Sequence, residues 1–203
     1  MKIVKTFIGK NSFEFNLVEY DPSLQSDLED FCKRCDQEGY SNNASLKALK
    51  LGKWGDLEKW WVVYHKDKII SMSGAHYFPH LHSKCFIILS RMATMKAYNG
   101  MASPSVSARK MQHNFAFGVF MPVQIDWCLE MGATDIIGTT NSPENDTDNS
   151  GTMFKVHEYA NKFFKIGDKA TRIHKDFPSY NMKQDIWRFN VRDFATMEKI
   201  EYK

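Results

Sequence analysis

Trp60-Trp-Val-Val-Tyr-His-Lys-Asp-Lys-Ile-Ile-Ser-Met-Ser-Gly-Ala-His-Tyr77 divides at Lys66-Asp67 into two runs rich in β-branched and aromatic side chains, Trp60–His65 and Lys68–Tyr77. Such side chains suit a pleated surface, and a short polar break between two runs predicts a hairpin. A third run, Lys84–Met95, extends the hairpin to an antiparallel meander.

Upstream of the meander, Phe13, Phe15 and Leu17 alternate with polar neighbours across Ser12–Tyr20, as a strand with one buried face requires. Asp21-Pro22 then starts a helix, because Asp can accept the first free amides and Pro fits the first helical position. Its stripe is Leu24, Leu28, Phe31, Cys32 and Cys35, and Gly39 ends it. A short second helix is expected over Ala44–Leu51.

Downstream, Met111, Phe115, Val119, Val123, Trp127 and Met131 recur every four residues and mark an amphipathic helix over Ala108–Met131. Pro122, four residues after Gly118, should kink or split it. Gly132 closes this helix, and a short buried strand runs from Ile136-Ile137 to Thr139-Thr140-Asn141. An exposed polar loop at Ser142–Gly151, a helix at Thr152–Phe163, a basic segment and a last strand at Asp185–Val191 complete the chain. The class is α/β: one mixed, mostly antiparallel central sheet of six to seven strands flanked by helices. No repeat or Pro/Gly-rich linker interrupts it, so residues 1–203 are expected to form a single domain.

The 203 residues, 43% apolar and 25% charged, suffice for a full core without a metal or disulfide staple. The longest apolar runs, such as Cys85–Leu89, are far shorter than the roughly 20 residues that span a bilayer. No secretory pattern follows Met1-Lys2-Ile3-Val4-Lys5, so a cytoplasmic protein with no membrane partner is expected. Cys32-x-x-Cys35 lacks the two further ligands that zinc needs, and its cysteines read as small core residues; no metal site is expected. From Gly151 onward the chain carries 11 Lys or Arg against 7 Asp or Glu, an excess of +4, whereas the first 150 residues sum to −1. Such a basic surface could meet phosphates of a cofactor or of nucleic acid, or be an ordinary solvated face.

The order of elements, above all from Trp60 to Asn141, resembles the GNAT superfamily of N-acyltransferases. Trp61–Gly74 looks like the family's second and third strands. Ser90-Arg-Met-Ala-Thr-Met-Lys-Ala-Tyr-Asn-Gly100 looks like its fourth strand, which bulges and splays from the fifth. The resemblance implies that the exposed backbone of Met92, Ala93 and Thr94 holds the pantetheine of coenzyme A as an added strand. Tyr159-Ala-Asn-Lys-Phe-Phe-Lys-Ile-Gly167 is similar to the family's late helix, whose tyrosine protonates the departing thiolate, and this makes Tyr159 the general-acid candidate.

The family's phosphate loop departs from type here. Its position reads Asn99-Gly100-Met101-Ala102-Ser103-Pro104, with Asn in the lead, Ala for the central Gly, and a Pro that has no amide to donate. Ser103, Ser105 and Ser107 could supply hydroxyl contacts instead, with Arg109 or Lys110 neutralising phosphate charge. Asn99, Gly100, Met101, Ala102, Ser103 and Ser105 are therefore the remaining cofactor-binding candidates.

The resemblance implies direct transfer of an acyl group, normally acetyl from acetyl-CoA or another acyl-CoA, to a primary amine. A base could be His76 or His80 near the end of the third strand, since histidine titrates near neutrality, or the base could act through a water. Asn141 and Tyr77 are the substrate-binding candidates. Tyr77, Phe78 and Trp187 could stack on a nucleobase or pack the sheet. Acceptors of two kinds, a small or macromolecular amine and a nucleic acid, fit these residues, as does a monomer or homodimer. Two other readings stay open: a nucleic-acid base-modifying enzyme of the same fold, and a catalytically silent binding protein.

Overall fold

A computed structural model describes residues 1–39, 51–103, 114–141, 170–179 and 182–189. Eight strands form one mixed sheet in the order β1-β2-β3-β4-β5-β6-β8-β7. They are β1 (Lys2–Ile8), β2 (Glu14–Glu19), β3 (Glu58–His65), β4 (Lys68–Tyr77), β5 (Cys85–Thr94), β6 (Asp135–Asn141), β7 (Ala170–Ser179) and β8 (Met182–Phe189). Among the described residues the α-helices are α1 (Gln25–Gln37) and α2 (Met121–Glu130). The chain groups into two compact units, one of Met1–Tyr77 with Ile88–Trp127 and one of Phe78–Ile87 with Cys128–Lys203.

Eight strands stand where six to seven were expected, because β1 and β7 were not read as strands. Both lie at the ends of the strand order. β1 is exposed along nearly its whole length, so its residues carry no buried alternation. β7 is interrupted by two register shifts and contains Pro178, which removes a ladder donor.

In the first unit, β1 to β4 pair antiparallel in succession where their registers are described, with Trp60 opposite Gly74 and Val62 opposite Met72. Lys66 makes the β3–β4 turn with φ of 56°. Asp21 Oδ1 accepts the Ser23 amide at 2.8 Å and Pro22 opens the helical turn that leads into α1. Leu24, Leu28, Phe31 and Cys35 of this segment pack on Val18, Trp60, Val62, Tyr64, Met72, Ala93 and Met95. The Tyr64 hydroxyl donates to Asp27 Oδ2 at 2.7 Å, fastening α1 to β3. Elsewhere in the unit, Phe15 meets Phe115 edge-on at 5.3 Å and Trp61 meets Trp127 at 6.2 Å. β3 is thus buried almost throughout, which is why its sequence is a continuous apolar run.

A π-helical turn over Ala116–Phe120 runs into α2 at Met121. The departure from α geometry falls immediately before Pro122, which cannot donate to the Gly118 carbonyl. The expected N-terminal part of this helix, residues 108–113, lies outside the described residues, as do residues 44–50, 142–151 and 152–163.

In the second unit, β6 pairs antiparallel with β8, and β8 with β7. Cys85–Ile87 of β5 run parallel to Asp135–Ile137 of β6. The register covers these three pairs, and both strands continue past it, β5 to Thr94 and β6 to Asn141. The core here is Phe78, Cys85, Ile87, Ile137 and Ile186. Asp135 accepts from Arg188 Nε at 2.6 Å and from His82 Nε2 at 2.8 Å, bracing the start of β6. Among the described residues, no helix is long and apolar enough to cross a membrane.

Burial explains the cysteines. Cys35, Cys85 and Cys128 are buried and Cys32 is half-buried. Loss of hydration pushes the Cys35 and Cys85 thiols up to about 12 and that of Cys128 higher still. A thiol titration of the native protein at pH 8 is expected to register Cys32 slowly and the other three only after denaturant is added. Fast reaction of all four would contradict this packing.

Candidate functional site

β5 leaves regular geometry in its middle. Leu89 and Arg91 both take left-handed backbone, with φ of 55° and 54°. For residues with a Cβ this costs about 1–3 kcal/mol each, and it persists only where the surroundings impose it. Here they do. The Leu89 amide donates to Gln124 Oε1 at 2.8 Å, and Gln124 Nε2 donates to Ser73 Oγ at 2.9 Å. The Ser73 hydroxyl lies 3.5 Å from the Ser90 carbonyl, the outer limit of a hydrogen bond. Gln124 and Ser73 are both fully buried.

Beyond the bulge the direction of the backbone can be worked out. The Met95 amide donates to the Ile70 carbonyl of β4 at 2.9 Å. Main-chain groups alternate sides along a strand, so those of Ala93 also turn toward β4 and those of Met92 and Thr94 turn to the opposite edge. The Ser71 hydroxyl agrees with this, donating to the Ala93 carbonyl at 2.8 Å and lying 2.7 Å from Thr94 Oγ1. Of the three candidates on this strand, the Ala93 carbonyl is thus held from the β4 side.

The segment that follows is a closed turn. Tyr98 donates to the Met95 carbonyl, Asn99 to that of Lys96 at 3.2 Å, and Met101 to that of Tyr98 at 3.2 Å. Glu38 accepts the Lys96 amide at 2.8 Å. Gly100 has φ of 74°, a value that favours glycine. The Met101 carbonyl accepts the Lys10 amide at 2.9 Å, and this contact needs Gly9. A Cβ on Gly9 would stand 2.2 Å from the Met101 oxygen and 2.3 Å from the Phe15 ring. Gly9→Ala is expected to destabilise the fold by about 1–3 kcal/mol, read by urea denaturation, because the Met101 backbone must shift. Ala102 and Ser103 are buried, while Ser105 and Pro104 lie outside the described residues.

His76 and Tyr77 end β4. His76 is buried, and its Nδ1 donates to the Tyr77 carbonyl at 2.8 Å, which leaves Nε2 the basic nitrogen of the neutral ring. Burial lowers its pKa from 6.5, the Arg91 and Lys53 charges add to this, and the Tyr77 carbonyl and Glu58 oppose it. Trp54 lies nearly parallel to the imidazole at 6.3 Å and edge-on to Tyr77 at 5.6 Å. Glu58 holds that tryptophan in place: its carboxylate accepts the Trp54 amide at 2.9 Å, the Trp60 indole at 3.0 Å, and the Gly52 amide.

His76, Tyr77, the bulged part of β5 and residues 99–103 all belong to the first unit, with His76 and Tyr77 at one end of β4 and residues 99–103 following the end of β5 that bonds Ile70 at the other. Asn141 ends β6 in the second unit, its backbone in register with Gln184. His80 meets Phe78 edge-on at 4.9 Å in that unit. Phe78 and Trp187 are core residues, 1% and 4% exposed, and so pack the sheet rather than offer stacking faces. Tyr159 lies outside the described residues. Gln124, Ser71, Ser73, Trp54 and Glu58 were not singled out from sequence. A usable signal existed for three of them, since Ser71 and Ser73 are hydroxyls inside a buried strand and Gln124 is an amide between Val123 and Ile125.

No protein-family model matches the chain, and no curated protein matches it in sequence. Solved structures do match in shape. An acetyltransferase of the GNAT family from Staphylococcus aureus Mu50 superposes with a TM-score of 0.55 at 13% identity, over 87% of this chain and 99% of that one. The chain has the GNAT fold. The GNAT domain of PAT from S. lividans superposes with a TM-score of 0.54 at 10% identity, over 91% and 96% of the two chains. A chimera of the spermidine N-acetyltransferase SpeG from Vibrio cholerae with hSSAT gives 0.51 at 12% identity, over 90% and 98%.

Proposed function

We propose that the chain, as one acyltransferase domain of residues 1–203, moves an acyl group, normally acetyl, from a coenzyme A thioester to a primary amine by direct transfer. The observation that carries this reading is the middle of β5, where left-handed backbone at Leu89 and Arg91 is followed by main chain of Met92 turned away from β4. A pantetheine arm, with its two amides, binds such an edge as a strand would.

His76 is the base. Its depressed pKa keeps it neutral at pH 7, with Nε2 as the nitrogen able to take the proton that the attacking amine sheds. As the amine nitrogen bonds the acyl carbon, the carbon–sulfur bond breaks and the thiolate leaves; Tyr159 returns a proton to it. Tyr77 and Asn141 orient the acceptor, Tyr77 from beside the base. The phosphates draw on Gly100, Ala102, Ser103 and Ser105, since the Asn99 and Met101 amides already close the turn. The closed turn also favours a second reading, a GNAT-fold protein that binds a ligand without coenzyme A. A nucleic-acid acceptor loses two of its proposed stacking residues, Phe78 and Trp187, to the core.

The likeness to a spermidine N-acetyltransferase chimera makes a polyamine the first acceptor to try. Incubation with acetyl-CoA and a panel of amines that begins with spermidine, read by release of free thiol, should give turnover that depends on the amine. Thiol release no faster than buffer with every amine would remove the enzymatic reading. The protein is expected to work in the cytoplasm as a monomer or homodimer.

A further inference from the structure

Between Leu89 and Ala93 side chains reach the β5 backbone at three points: Gln124 at the Leu89 N–H, Ser73 near the Ser90 C=O, and Ser71 at the Ala93 C=O. Gln124 is the hub of this set. Its amide oxygen accepts inside the bulge, while its amide nitrogen donates to the serine that reaches the next carbonyl. A glutamine can do both without a charge; no apolar residue of that size can do either.

Around it the helix is apolar, with Phe120, Met121, Ile125, Trp127 and Cys128 buried. A buried amide is costly unless its bonds are made, so a residue that only filled space at 124 would be better apolar. The π turn at Ala116–Phe120 adds a residue to the helix one turn earlier and thereby sets which side chain faces the bulge. Such turns often occur at functional sites.

We propose that Gln124 is a positioning residue for the acyl donor: through Leu89 it fixes the β5 bulge, and the bulge sets the main chain of Met92 that the donor binds. This rests on the acyl-transferase reading above. Gln124 itself is held off the donor and acts through the strand.

The test uses the full chain with Gln124→Met, Gln124→Glu and Ser73→Ala, and reads two things: hydrogen exchange at the Leu89 amide, and acetyl-CoA affinity by calorimetry. Gln124→Met should unprotect Leu89 and weaken acetyl-CoA about tenfold, the scale of one lost buried hydrogen bond. Gln124→Glu still accepts the Leu89 amide and should stay within about threefold of the parent. Ser73→Ala keeps that bond but frees its far end, and should fall between the two, which preserves the test if Gln124→Met does not fold. Loss of Leu89 protection with unchanged affinity, or equal weakening by Met and Glu, would overturn the positioning role and leave coenzyme A binding intact. Parent protein that binds no acetyl-CoA would instead bring down the donor reading, and the positioning role with it.

Discussion

His76→Gln is expected to lower kcat for amine acetylation by about 10²–10⁴-fold, the usual worth of a positioned general base. Glutamine fills a similar volume and can still donate to the Tyr77 carbonyl, so the end of β4 should hold, which circular dichroism would verify. It cannot take a proton near neutrality. In the parent protein the rate should rise with pH as His76 deprotonates and level off below pH 6.5, because burial depresses its pKa. The same depression links to stability. The unfolded chain binds this proton more tightly than the folded one, so the contribution of His76 is present above the unfolded pKa and is lost as pH falls through the window between the unfolded and folded values. His76→Gln should flatten both profiles. A variant that kept the parental rate and its pH profile would remove His76 from the mechanism and leave a bound water as the base.

Gly74→Ala should be strongly disruptive in the first unit. A Cβ at 74 would lie 2.2 Å from Cε3 of Trp60 and 2.6 Å from Cδ2, deep inside the indole. The ring cannot yield easily, since its Nε1 is bonded to Glu58 and it packs in the α1 core. Overpacking of this kind should cost about 3 kcal/mol, the upper part of the usual range. For a chain of this size the thermal midpoint would then fall by roughly 6–12 °C. Trp60→Leu in the same chain should recover part of that loss, because the two changes share one contact. Since Trp60, Glu58 and Trp54 form one chain of contacts, Gly74→Ala should also loosen Trp54 from His76. Unchanged stability would mean that β3 and β4 do not pair Trp60 with Gly74.

Legibility in the sequence followed burial. β4 was read with its observed ends, Lys68 and Tyr77, because a polar turn and a fully buried run bound it. The helical turn that precedes α1 was read from Asp21-Pro22, whose cap is a local hydrogen bond that needs no tertiary partner, although α1 itself begins at Gln25. β1 and β7 were missed for the opposite reason: edge strands owe their pairing to a neighbour, and solvent on their faces erases the alternation that would announce them. In the proposed site, Met92–Thr94 and Asn99–Gly100 were singled out by resemblance to a family motif. The bulge itself was not. Its left-handed residues are Leu89 and Arg91 rather than glycines, so only the tertiary bond from Gln124 reveals why the chain bends there. Trp54 is likewise placed by Glu58, a contact that sequence spacing does not disclose.

The most direct measurement is a calorimetric titration of acetyl-CoA into the parent protein and into Met92→Pro, which removes one outward-facing amide from β5. Saturable binding with a Kd on the order of micromolar in the parent, weakened at least about tenfold in the proline variant, is the predicted result. No heat of binding to the parent, or equal affinity for both proteins, would contradict the proposal that the bulged edge of β5 holds the acyl donor.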